Sequence, residues 1–93
     1  MEIKYETEKT FTFKEFEFEY SKRKIKSITV KAPSFQDRYM LVESLPENPK
    51  TQDSFDAMIQ LALRKTGLTI EEFMELPEAV ANAVLGFITP TAD

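Results

Sequence analysis

The chain has 93 residues, 42% of them hydrophobic, a net charge of −4, and neither cysteine nor histidine. This describes one small globular domain, excludes disulfides and cysteine-based metal sites, and makes a reducing compartment the simplest setting. It also removes the commonest general base near neutral pH and the commonest metal ligand.

Charge is unevenly spread. Residues 1–33 carry eight Lys/Arg and six Glu, whereas residues 34–93 carry four Lys/Arg and ten Asp/Glu. The acidic second part argues against nucleic acid as the main partner, because phosphate binding needs a basic face. No apolar run approaches the roughly 20 residues of a membrane span, and no basic-then-apolar leader opens the sequence. A soluble, cytoplasmic protein is expected.

The first third reads as sheet. Ile3, Tyr5, Phe11 and Phe13 share odd parity, and Phe16, Phe18 and Tyr20 share even parity. Each set alternates with charged residues or Thr, as in a half-buried strand. The parity flips across Lys14-Glu15, which predicts a bulge or bend there. Ser21-Lys22-Arg23-Lys24 reads as a turn. A second strand, Ile28 to Ala32, is expected to pair so that Phe18 faces Ile28, Phe16 faces Val30 and Glu15 faces Lys31.

Pro33 ends that strand, since it cannot donate to a ladder. Ser34 can cap a helix, with Asp37 as its capping-box partner. Phe35, Tyr39, Val42 and Leu45 sit on one face of this helix, which stops before Pro46. After a polar loop, Thr51 or Asp53 starts a helix whose apolar face is Phe55, Met58, Ile59, Ala62 and Leu63. Gly67 suits its left-handed C-terminal position. Thr69 with Glu72 makes a capping box for a short helix through Glu75. Pro77 suits the first turn of a last helix with Val80, Ala83, Val84, Phe87 and Ile88 as its stripe. The fold class is therefore α+β: an N-terminal antiparallel β-hairpin or meander followed by three to four α-helices. One domain spans 1–93, with sheet in 1–33, helices in 34–88 and a frayed tail in 89–93.

Candidate chemistry is thin. Glu71, Glu72, Glu75 and Glu78 cluster at helix starts, where carboxylates complement the helix dipole. Asp53 and Asp56 lack the alternating ligands and central Gly of a calcium loop. Lys22, Arg23, Lys24 and Lys26, beside aromatic strands, could form a stacking nucleic-acid surface. A charged hairpin tip guarding an edge strand is the favoured account. No Ser–His or Cys–His pair and no Gly-rich phosphate loop is present. No catalytic, cofactor-binding or metal residues are expected, and an enzyme is not. Eight Phe are many for so small a core. Some of Phe11, Phe13, Phe16, Phe18, Tyr20, Met58 and Leu61 are therefore expected to face a partner, by strand addition or in a helix groove. Phe55 and Phe87 are expected to be core.

Several segments recur in a recognisable order. Lys31-Ala32-Pro33-Ser34-Phe35-Gln36-Asp37 fits a basic-x-Pro-Thr/Ser-x-x-Asp signature. Leu61-Ala62-Leu63 leads to Thr66-Gly67-Leu68. Ile70-Glu71-Glu72-Phe73-Met74-Glu75-Leu76 gives a short acidic helix ending in Leu, and Val84-Leu85-Gly86-Phe87-Ile88 closes the last helix. This ordered set, over about two-thirds of the chain, resembles the phage tail assembly chaperones, in particular the small Mu-like family and its relatives. Where that family often has Asp soon after the Leu, this chain has Leu76-Pro77-Glu78. The resemblance implies a non-enzymatic factor in the host cytoplasm. It would keep the tape measure protein, or another tail protein, soluble during tail assembly, with homo-oligomers among its states. A small acidic inhibitor or DNA mimic, and a structural tail component, are the competing functions.

Overall fold

The computed structural model describes residues 1–89; of the expected frayed tail, all but Thr89 lies outside them. Strands β1 (Glu8–Glu17) and β2 (Lys24–Lys31) form a two-stranded antiparallel sheet. Helices α1 (Phe35–Glu43), α2 (Thr51–Thr66), α3 (Ile70–Glu75) and α4 (Glu78–Ile88) follow. The α+β class and the order of parts are those expected from the sequence. No helix among the described residues is long and apolar enough to cross a membrane.

The parity flip in β1 is a register shift. Phe11 pairs with Ile28 and Thr12 with Ser27, but Phe16 pairs with Ile25, so the ladder slips between Thr12 and Phe16. Across this irregularity the inward-facing parity changes on both strands, from Phe11 to Phe16 in β1 and from Ile28 to Ile25 in β2. Phe11 before the shift, and Phe16 and Phe18 after it, all reach the helix side, where Ile28 and Val30 are buried. Thr10 and Thr29 are hydrogen-bonded on the exposed side, 2.9 Å apart.

The expected pairing of Phe18 with Ile28, Phe16 with Val30 and Glu15 with Lys31 is not formed. In that register the strands would have continued to Tyr20 opposite Lys26 and turned over residues 21–25. Instead the N–H of Phe18 donates to Arg23 O (2.8 Å), closing a short loop. Lys22 takes the left-handed conformation, φ 62°, that such a turn demands and that Gly or Asn would adopt more cheaply. Ile3 and Tyr5, expected in the strand, lie ahead of it and are exposed.

The helices cover the inner face of the sheet. Ile59, Leu61 and Ala62 of α2, Phe73 of α3, Leu76, and Val84 and Ile88 of α4 close on Phe18, Ile28 and Val30. Gly67 ends α2 at φ 79°, as its position after Thr66 predicts. Thr69 and Glu72 form the capping box that starts α3. Glu72 then reaches beyond its own helix. Its Oε2 lies 2.8 Å from Arg23 Nη2, and the Arg23 guanidinium sits over the Phe18 ring, 5.5 Å from its centroid. The N–H of Glu19 donates to Glu75 Oε1. The hairpin tip is thereby fastened to α3.

The molecule is thin, 39 × 38 × 19 Å, with a radius of gyration of 14.3 Å, against about 12 Å for a compact chain of this length. Relief of the strained turn gives a first prediction. Lys22→Gly should raise the unfolding free energy by up to about 1 kcal/mol, measured by urea titration; a lower midpoint would show that the turn needs the lysine side chain.

Candidate partner-binding surface

Helix α1 begins with a full capping box. The N–H and hydroxyl of Ser34 donate to Asp37 Oδ2 (2.7 and 3.0 Å), and the N–H of Asp37 donates back to Ser34 Oγ (3.2 Å). The same Asp37 oxygen lies 2.7 Å from Lys65 Nζ on α2, with both side chains about four-fifths covered. The Lys65 ammonium first, and the Ser34 backbone second, hold the Asp37 carboxyl down at about 2, against a smaller opposing effect of burial.

That ion pair fixes the rotation of α1. Asp37, Leu41 and Leu45 turn toward the body of the protein and are partly covered. At 100° per residue, Phe35, Tyr39 and Val42 form a second stripe roughly 130° away, and it faces solvent. Phe35 is 87% exposed, Val42 61% and Tyr39 59%. The face that the sequence sets out with Phe35, Tyr39, Val42 and Leu45 is thus divided: Leu45 is partly covered and the other three are open. No residue of α1 is fully buried. Phe55, expected in the core, is half-exposed near the start of α2.

The residues proposed from sequence to face a partner divide into groups. Phe18 and Leu61 are buried in the core and cannot contact a partner without unfolding. Both lie at the centre of the sheet–helix interface, where the register shift and the α2 face deliver them. Phe11, Phe13 and Phe16 are half-buried against the same core. Phe11 meets Phe87 edge to face at 6.4 Å, and Phe16 meets Phe18 the same way at 5.3 Å. Met58 is half-buried, its sulfur 3.9 Å from the Thr89 hydroxyl. Tyr20 alone among them is fully open, at the hairpin tip. The structure therefore does not bring these seven residues together.

Part of the charge at the hairpin tip is paired. Arg23 of the basic run is engaged with Glu72, and Lys24 lies 4.0 Å from Glu15. No group of three or more potential metal ligands occurs among the described residues. One shallow depression is lined by Phe16, Glu19, Lys22 and Glu75 at the hairpin tip. Another has a floor of Phe11, Ala83 and Phe87 with Lys9 and Arg38 at its rim. Arg38 belongs to α1, the helix that carries the open apolar stripe, and Lys9 to β1. The chain matches no protein-family model, no curated protein and no solved structure.

The signal for the α1 stripe was present but ambiguous. A nine-residue helix with apolar residues at positions 35, 39 and 42 and again at 41 and 45 has two candidate inner faces. Only the partner of Asp37, which lies on another helix, separates them.

Two predictions follow from this placement. Phe73→Ala should cost about 3–5 kcal/mol, and Phe55→Ala less than about 1.5 kcal/mol because half of that ring is already wet; thermal melts that gave equal losses would return Phe55 to the core. Asp37→Asn should cost about 1 kcal/mol near neutral pH, after allowance for the water that reaches the pair. Because the folded-state pKa of Asp37 is lowered, its contribution is fully present above about 4 and is lost as pH falls toward 2. The gap between wild type and variant in urea melts should therefore narrow over that window; a gap independent of pH would refute the assigned role.

Proposed function

We propose that this chain is a non-enzymatic assembly chaperone of the phage tail type that its sequence resembles, acting in the host cytoplasm. In this reading it shields an apolar helical segment of a tape measure protein or another tail protein. The observation that supports it best is the α1 stripe of Phe35, Tyr39 and Val42, three large apolar side chains open to solvent on one helix face. Such a face suits an amphipathic helix laid against it.

The magnitudes suit a temporary hold. Burying three such side chains yields about 2 kcal/mol each. Association itself costs at least about 4 kcal/mol. One stripe would therefore bind weakly and release readily, as a factor that must give up its client requires. The acidic balance of residues 34–93 would keep the complex soluble. A DNA-mimic role is less well supported, because Asp37, Asp53 and Glu72 are occupied by helix caps, and two of them by ion pairs as well.

Co-expression with a helical tape-measure fragment tests the proposal. The fragment should become soluble with the wild-type chain, and should precipitate with Phe35→Glu/Tyr39→Lys although that variant keeps its helical circular dichroism. A fragment as insoluble with the wild type as without it, or equally soluble with both, would count against the reading.

A further inference from the structure

The segment ahead of β1 carries a strand pattern that its own protomer leaves unpaired. Ile3 and Tyr5 alternate with Glu2, Lys4 and Glu6, and in an extended chain they continue the face on which Phe11 lies. β2 cannot follow them. The ladder runs to Glu8 opposite Lys31, with one more bond from the Ala32 N–H to Thr7 O (2.9 Å). The next residue is Pro33, which has no N–H and turns the chain toward α1. Among the described residues no strand lies beside Met1–Glu6, and Ile3 and Tyr5 are 75% and 81% exposed. The far edge of β1 is also open, because the sheet has only two strands.

We propose that Glu2–Glu8 pairs antiparallel with the same segment of a second copy, centred on Tyr5, so that two hairpins join into one four-stranded sheet. Charge and apolar matching together select this register. Centring on Tyr5 sets Lys4 opposite Glu6 of the other copy twice over, Tyr5 opposite Tyr5, and Ile3 opposite Thr7. Centring one residue earlier would set Lys4 opposite Lys4 and Glu2 opposite Glu6, which is repulsive, and centring one residue later would set Glu6 opposite Glu6, lose the Tyr5–Tyr5 pair and place Ile3 against Lys9. The terminal Glu2–Glu8 pairing is eased by Lys31, which neighbours Glu8 on β2. A twofold contact of this kind is self-complementary, as homodimer contacts are.

The surface area leaves room for it. The chain exposes 7132 Å², whereas a compact monomer of this mass exposes about 5,500 Å². A standard interface removes about 800 Å² from each partner, so the excess exceeds what one such contact would cover. The pairing uses none of Phe35, Tyr39 and Val42, and it is independent of the chaperone reading.

Sedimentation equilibrium of the full chain, with Lys4→Glu, Glu6→Lys and the double exchange, tests the register. The wild type should be dimeric. Each single variant turns both attractive pairs repulsive and should raise the dissociation constant about tenfold or more. The double exchange restores opposite charges and should return it to within about threefold of wild type. Lys4 and Glu6 are exposed in the protomer, so unchanged circular dichroism will show that the variants fold. A wild type monomeric at concentrations on the order of 100 µM would overturn the proposal, as would a dimer indifferent to the single variants or a double exchange no better than they are.

Discussion

One carboxylate oxygen sets the outward character of this molecule. Asp37 Oδ2 receives the N–H and hydroxyl of Ser34 and the ammonium of Lys65. The first two contacts start α1, and the third decides how the helix rolls against α2. The roll that α1 adopts forms this ion pair and leaves Phe35 open. The open stripe is a by-product of that roll, and the proposed client contact rests on it.

A second polar joint performs the matching task at the other end of the sheet. Glu72 caps α3 with Thr69 and also meets Arg23, whose guanidinium covers Phe18. A helix start, a hairpin tip and a core aromatic are thus held by one side chain. Charge near the core is tolerated there because each carboxylate has several donors. In a domain this thin, where few side chains are wholly buried, such joints determine how the layers meet.

What could be read from the sequence was local. The Ser34–Asp37 and Thr69–Glu72 boxes, the left-handed Gly67 and the parity flip near Lys14-Glu15 each depend on residues within a few positions of one another. Their physics needs no knowledge of the rest of the chain. The strand register failed because it was judged from facing residues alone, while the short turn at Lys22 and the slip after Thr12 set it jointly. Which stripe of α1 turns inward was not legible, because Lys65 lies 28 positions from Asp37. The residues chosen as a partner surface failed in part for the same reason: Phe18 and Leu61 have ordinary local patterns, and only the packing of the helices on the sheet covers them.

No residue of α1 is fully buried, and this gives the helix a stability of its own. Its hold on the rest is one ion pair and two partly covered leucines, a matter of a few kcal/mol at most. Hydrogen exchange proceeds through whichever opening costs least. The amides of α1 are therefore expected to exchange through a local detachment, while those of β2 and the middle of α2 wait for global unfolding. The helix that presents the apolar stripe would then be the element freest to adjust its angle to whatever lies against it.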